Sequence, residues 1–99
     1  MTIVTQVRLL DNGAEQWDTA MRTRVEAAKD RPGWVAVQLL KPVDDSLRRV
    51  IVGTWESRED WAAWHDDETF VETRAQLDGL QDGPAETVWY DVVAGSHRG

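Results

Sequence analysis

Aromatic side chains concentrate in one short stretch of this 99-residue chain. Trp55, Trp61, Trp64 and Phe70 lie within it, and they include three of the six tryptophans of the chain. Tryptophan has the largest side chain, so three of them this close together must line either a packed core or an aromatic-walled pocket. The residues alone leave both possibilities open.

Groups able to accept a proton or to hold a charge stand next to these aromatics. His65 is the side chain in this region whose unperturbed pKa suits a base near neutrality. Arg74 carries a permanent cation that could stabilise an anion. The alternative for Arg74 is a surface ion pair, because Glu68 and Asp78 lie at helical spacing from it. His65 could likewise be exposed to solvent and have no role in a pocket.

Polar residues also interrupt strands that are otherwise apolar. Such side chains could orient a hydroxyl or carbonyl group of a bound molecule, or they could form hydrogen bonds between subunits. For a tyrosine the further alternative is a buried ring with its hydroxyl in water. The residues concerned are Gln6, Gln38, Thr54 and Tyr90.

Composition excludes several other kinds of chemistry. The chain has no cysteine, so it has neither disulfides nor thiolate sites, and no histidine pair has metal-ligand spacing. A formal charge of −7 disfavours nucleic acid as a partner. No segment approaches the roughly 20 apolar residues of a membrane span, and the N-terminus lacks a charged signal region. We therefore expect a cytoplasmic protein with no metal and no membrane partner.

The elements that position these residues follow from hydrophobic periodicity. β-Branched and aromatic runs predict strands over 3–10, 34–40, 49–55 and 86–93. An apolar stripe predicts a helix over 14–29, with Asp11 or Asn12 as its N-cap. Ser57 and Asp60 predict the start of a second helix, which breaks or is capped again at 66–69. The length predicts one domain over 1–99, with an ordered core from about 3 to 93 and a polar tail over 94–99.

The resulting order, β-α-β-β-α-β, predicts an α+β fold of the ferredoxin-like split βαβ type, with helices on one face of an antiparallel sheet. Strands with one face in water should alternate between apolar and polar residues. The last three strands carry apolar residues on both faces instead, so the helix-free face needs cover from a second copy. We expect a homodimer whose two sheets pack face to face.

The chain resembles the antibiotic biosynthesis monooxygenase family. The resemblance is carried by a strand followed by Trp55-x-Ser57-x-x-x-Trp61-x-x-Trp64, and then by Phe70 and Arg74. It extends in element order over roughly residues 3–93, and it is strongest at 33–34 and 54–77. It implies a dimeric α+β barrel built from two ferredoxin-like subunits. It also implies a substrate pocket between the helices and the sheet, with Trp64 in its wall.

Two activities follow from the resemblance. One branch of the family oxidises anthrones or similar phenols with O2 and without metal or flavin, and the other binds and degrades haem. The axial histidine of the haem branch matches Arg74 here, whose guanidinium has no free lone pair for iron. The asparagine of that branch matches Val7, so both positions count against haem.

The sequence therefore predicts a cofactor-independent monooxygenase-like protein that oxidises a planar phenolic, anthrone or quinol-type molecule with O2. Its catalytic candidates are Trp64, Arg74 and His65, and its substrate-binding candidates are Trp55, Trp61, Phe70, Tyr90, Gln6, Thr54 and Gln38. Two alternatives stay open at this point. One is a haem-binding or haem-degrading relative, and the other is a non-catalytic dimer that binds a small ligand.

Overall fold

A computed structural model describes residues 1–96 of the chain. Positions 97–99, the end of the predicted polar tail, lie outside the described residues. Four strands and three helices occur in the predicted order: β1 (Thr2–Arg8), α1 (Ala14–Ala28), β2 (Trp34–Leu40), β3 (Arg48–Trp55), α2 (Arg58–Trp64), α3 (Glu68–Asp78) and β4 (Glu86–Tyr90). The α+β class and the division of the second helix into two pieces are confirmed.

One antiparallel sheet has the strand order β2-β3-β1-β4. This order is that of the ferredoxin-like fold. The register pairs Ile3 with Gly53 of β3 and with Trp89 of β4. Because side chains alternate along a strand, these positions share one face of the sheet. That face carries the helices and the core, and we call it the helix face.

Two predicted strands are too long. β1 ends at Arg8, and Leu9 makes only an isolated bridge to Gln81. β4 ends at Tyr90, because that residue already pairs with Thr2 near the start of β1. The strand was predicted to continue to position 93, but beyond Tyr90 it has no neighbouring strand with which to form hydrogen bonds.

Helix boundaries follow side-chain caps at two of three starts. Ser57 caps α2 by accepting a hydrogen bond from the Asp60 amide at 3.1 Å. Asp67 caps α3 by accepting one from the Thr69 amide at 2.9 Å. The N-cap predicted at Asp11 or Asn12 is wrong, since both lie in a turn and Gly13 holds the cap position without a side-chain bond.

Two buried clusters fill the space between the sheet and the helices. The first joins β1 to α1 and α3 through Val7, Trp17, Met21 and their neighbours. The second contains Ile3, Ala28, Trp55 and Trp64. The aromatic stretch singled out by the sequence is therefore packed at one end of the fold.

The opposite, helix-free face of the sheet is largely apolar and uncovered. Val4, Val50 and Val52 are half-buried there, while Val88 and Tyr90 are exposed by 49% and 50%. The helices of residues 1–96 all fall short of the length and apolar character that a membrane span requires.

Candidate functional site

A cavity of about 220 Å³ opens between the helix face of the sheet and the three helices. Its volume exceeds the roughly 150 Å³ of an apolar cavity that holds benzene, so it admits an aromatic ring with substituents. The wedge between sheet and helices is thus not filled by the side chains of the chain itself. Five of the sequence-predicted residues line it: Trp55, Trp61, Trp64, His65 and Phe70.

The aromatic rings around the cavity contact one another in a continuous series. Trp55 and Trp64 stack with ring centroids 6.5 Å apart, and Trp64 meets Phe70 edge-on at 5.7 Å. The His65 ring lies 4.2 Å from Phe70 and 3.8 Å from Trp61. Edge-on and offset contacts of this kind are the arrangements that aromatic rings prefer, so the rings of the cavity wall support one another.

Local backbone features hold this wall in place. Gly33 adopts a φ of 81°, which favours glycine, and a Cβ there would collide with Asp60 of α2. Asp60 also accepts the Ser57 hydroxyl at 2.9 Å. The start of α2 is therefore seated against the turn before β2, and this contact sets where Trp61 and Trp64 project.

His65 is half-buried between two aromatic rings. Its Nδ1 lies 2.8 Å from the Trp61 carbonyl oxygen, and a carbonyl only accepts, so Nδ1 carries the proton. In the neutral ring Nε2 then holds the free lone pair. Burial lowers the pKa of His65 below its ordinary value of 6.5, with smaller lowering contributions from Arg24 and Arg74. The residue is accordingly a neutral base at pH 7.

Arg24 of α1 supplies a cation to the cavity, and the sequence did not single it out. Its guanidinium lies 3.9 Å from the centroid of the Phe70 ring. It donates to the Thr73 hydroxyl at 2.7 Å and to the Phe70 carbonyl at 3.0 Å. Burial lowers its pKa to about 10, partly offset by Asp78, so it stays charged at neutral pH.

Arg74, the predicted cation, occupies a different place. It is exposed on α3 and does not belong to the cavity lining. Its charge reaches the site only through space, where it lowers the pKa of both Arg24 and His65. Arg24 therefore has the position that the sequence interpretation gave to Arg74.

Four other sequence-predicted residues lie on the helix-free face. The register places their side chains opposite Ile3 and Trp55, away from the cavity. Thr54, for example, shares a hydrogen bond with Thr2 across the strands at 3.0 Å. The residues that do not line the cavity are Gln6, Gln38, Thr54 and Tyr90.

Trp34, at the start of β2, lines the cavity as well. A β-bulge between Trp34 and Ala36 reverses the side-chain alternation along β2. Trp34 consequently pairs with Trp55, and its side chain lies on the helix face, as does that of Val37.

The arrangement combines an aromatic wall, a neutral base and a half-buried cation around one cavity. Groups of these types can contact a flat aromatic ring, accept a proton and stabilise a negative charge. Within residues 1–96 no cluster of three acidic, histidine or cysteine ligands could hold a metal ion. The site's own groups support acid–base chemistry on an aromatic molecule.

Residues 1–76 match the model of the family described as antibiotic biosynthesis monooxygenase. No curated protein sequence matches the chain. Among solved structures, a putative antibiotic biosynthesis monooxygenase from Nitrosomonas europaea superimposes with a TM-score of 0.89 at 20% identity, covering 94% of this chain and 98% of that one.

Two further structures are similar. SnoaB from Streptomyces nogalater, described as a cofactor-independent oxygenase, gives a TM-score of 0.79 at 16% identity and covers 96% of each chain. Rv0793 from Mycobacterium tuberculosis gives 0.86 at 12% identity, covering 96% of this chain and 97% of that one. At these identities the structural likeness establishes the fold.

Proposed function

Because the chain belongs to the antibiotic biosynthesis monooxygenase family, a match that covers residues 1–76, we propose that it oxidises a planar phenolic or anthrone-type molecule with O2. The description of SnoaB as a cofactor-independent oxygenase supports the same chemistry without a bound cofactor. The observation that carries the proposal is the cavity itself, where His65 and Arg24 meet the aromatic wall formed by Trp61, Trp64 and Phe70.

The first step is removal of a proton from the substrate hydroxyl, which in an anthrone is the hydroxyl of the enol tautomer. His65 accepts this proton at Nε2, since Nδ1 is held by the Trp61 carbonyl. Arg24 then stabilises the phenolate oxygen, because a cation inside a partly buried site acts more strongly than one in water. Trp64 and Phe70 hold the ring flat against the cavity wall.

The oxidation needs an electron-rich ring, because the protein supplies no redox centre of its own in this mechanism. The phenolate gives one electron to O2, which leaves a radical with spin density on the ring carbon opposite the oxygen. Superoxide adds to that carbon, and the peroxide anion takes back the proton held by His65 to give a hydroperoxide. Loss of water across the C–H and O–O bonds leaves a ketone. For an anthrone, one substrate and one O2 thus give one quinone and one water, with the second oxygen atom of O2 leaving in the water.

An oxygen-uptake assay tests the proposed function. We expect the purified protein to consume O2 and anthrone in equal amounts, at a rate well above the reaction in buffer. Trp64→Phe keeps an aromatic wall but removes part of the contact area, and we expect at least a tenfold lower kcat/KM. Rates equal to those in buffer, with the protein folded, would contradict the proposal.

The pH dependence of kcat/KM reports on His65. Only the neutral imidazole accepts a proton, and the pKa of His65 lies below 6.5 in the folded protein. We therefore expect kcat/KM to be level near pH 7 and to fall about tenfold per pH unit below the lowered pKa. His65→Gln should remove this acid limb. A limb centred above pH 7, or one that persists in His65→Gln, would exclude His65 as the base.

Haem does not fit the residues at the positions where the haem-degrading branch holds it. Arg74 is exposed and offers no lone pair to iron, and Val7 is buried in the core with 5% exposure. We derive no step through haem.

A homodimer and a cytoplasmic location complete the proposal. The uncovered valines of the helix-free face, joined by Tyr90, support a second copy as their cover. Size-exclusion chromatography with light scattering should give about twice the 11.2 kDa mass of one chain at micromolar concentration. A particle of single-chain mass would exclude the dimer.

A further inference from the structure

Uncharged groups of α3 hold the Arg24 guanidinium at the wall of the aromatic cavity. Its Nε donates to the Thr73 hydroxyl at 2.7 Å, and its Nη2 donates to the Phe70 carbonyl at 3.0 Å. Its central carbon lies 3.9 Å from the centroid of the Phe70 ring. Phe70 and Thr73 belong to α3, whereas Arg24 belongs to α1. The helix α3 therefore determines where the charge carried by α1 stands.

The Thr73 hydroxyl has both of its hydrogen-bonding roles fixed. Because the Nε–H of an arginine only donates, the hydroxyl oxygen accepts from Arg24. Its own proton is given to a carbonyl of the preceding helical turn, that of Thr69 at 2.8 Å or that of Phe70 at 3.2 Å. The oxygen is consequently tied to the backbone of α3, with a lone pair left for Arg24.

Arg24 has no counter-charge in direct contact among residues 1–96. Each ion pair in this part of the chain joins other residues, and Asp78 acts on Arg24 only through space. No aspartate or glutamate of the described residues lines the aromatic cavity. A half-buried cation without a counter-charge keeps its charge for an anion that enters the site.

Arg49 shows the alternative arrangement for a cation inside this fold. Its guanidinium is 6% exposed and donates to both carboxylate oxygens of Asp18, at 2.9 and 3.1 Å. That carboxylate holds the side chain in place and neutralises its charge at the same time. A hydroxyl holds an arginine without neutralising it, so Thr73 leaves the full charge of Arg24 at the cavity.

We propose that Thr73 is a positioning residue: its uncharged hydroxyl holds the Arg24 guanidinium at the aromatic cavity without neutralising it, and the bound molecule supplies the counter-charge. This inference rests on the proposed function and narrows its substrate class. The class is flat aromatic molecules that carry one negative charge beside the ring, whether before binding or after giving a proton to His65. One charge is specified because Arg24 is the one permanent cation in the cavity lining of residues 1–96.

Binding of aromatic probes that are not oxidised tests the inference. The probes are naphthalene, 2-naphthamide and 2-naphthoate. The last two share a shape, and only naphthoate is charged at pH 7, because carboxylic acids ionise near roughly pH 4. We define the charge preference as the Kd of naphthamide divided by that of naphthoate. In the wild-type protein we expect about tenfold by calorimetry, the advantage of a charge-assisted hydrogen bond over a neutral one.

Three variants at one position separate the placement of the charge from its presence. Thr73→Val keeps the shape of the side chain and removes the acceptor, so we expect the charge preference to fall to about threefold or less. Thr73→Ser keeps the hydroxyl and should keep the preference. Thr73→Asp places a carboxylate beside Arg24 and should abolish it. Naphthalene should bind all three variants as it binds the wild-type protein, because the cavity itself is unchanged.

Thr23→Val on α1 is the matched control. The Thr23 hydroxyl also donates to the carbonyl four residues before it, that of Thr19 at 3.3 Å. Thr23 is exposed, and within residues 1–96 it forms no hydrogen bond with Arg24. The control therefore removes the same kind of helix bond without touching the guanidinium, and it should keep the tenfold charge preference. Circular dichroism checks that every variant is folded.

An unchanged charge preference in Thr73→Val would overturn the inference, as would a preference that survives in Thr73→Asp. Both results leave the proposed function standing, since they show Arg24 acting on an anion without Thr73. A wild-type protein with no charge preference would overturn the inference together with the role of Arg24 in the mechanism. Failure of all three probes to bind would count against the aromatic cavity as a substrate site, and thus against both.

Discussion

Replacing Arg24 by methionine should lower kcat/KM for anthrone oxidation by about 100- to 1000-fold, the effect of removing one preorganised group that stabilises developing negative charge. Methionine keeps an unbranched, flexible side chain, shorter than that of arginine, and removes the charge and the donors. The loss follows because Arg24 lines the cavity and is held in a fixed plane by Phe70 and Thr73. Steady-state oxygen uptake measures it.

Arg74→Met is the matched control on the neighbouring helix. Arg74 is exposed and lies outside the cavity lining, so water screens its charge. We expect less than about a threefold change in kcat/KM from this variant. Arg24→Lys, which restores the charge without the planar guanidinium, should recover part of the rate. If Arg74→Met were the more damaging variant, Arg24 would not be the cation of the site.

Replacing Asp18 by alanine should lower the free energy of unfolding by about 3 kcal/mol, because it leaves a buried guanidinium without its counter-charge. Arg49 is 6% exposed and points from β3 toward α1. Its Nε and Nη2 donate to the two carboxylate oxygens of Asp18 at 2.9 and 3.1 Å. Its Nη1 is held by the carbonyls of Ser46 and Arg48. Urea denaturation measures the loss.

Two controls separate this buried pair from ordinary surface charge. Glu26→Ala breaks the exposed pair with Lys29, which has a similar 2.9 Å separation, and should cost less than about 0.5 kcal/mol. Asp18→Ala combined with Arg49→Met should regain most of the stability, because no buried charge is then left unpaired. An Asp18→Ala variant as stable as Glu26→Ala would mean that the pair does not anchor α1.

The fold was predictable because its signals are local and repeated. The apolar spacing of α1 and the hydroxyl and carboxylate caps of α2 and α3 each point to one secondary structure, and β2 occurs at the predicted bounds. The ends of β1 and β4 were not predictable from local signals, because the length of a strand depends on whether a partner residue exists beside it. Tyr90 pairs with Thr2, and that pairing ends β4.

The site was only partly predictable. Trp61 and Trp64 attract notice through size and spacing, but side-chain alternation along β2 fails at the bulge and sends Trp34 to the helix face. Arg24 was overlooked because a charged residue on an amphipathic helix is ordinarily exposed. A signal existed: it recurs at helical spacing with Met21 and Ala28 within the apolar stripe of α1.

The strand polar residues illustrate a different limit. Thr54 and Trp55 are neighbours in β3, and adjacent strand residues face opposite sides of the sheet. The two residues therefore cannot line the same cavity. The register places Trp55 on the helix face.

A crystal structure of the protein bound anaerobically to a planar phenol tests the central claim most directly. We predict the ring between Trp64, Phe70 and Ile51, with its oxygen within hydrogen-bond distance of both the Arg24 guanidinium and His65 Nε2. A phenol bound only on the helix-free face, or in the aromatic cavity with its oxygen turned away from both groups, would contradict the account.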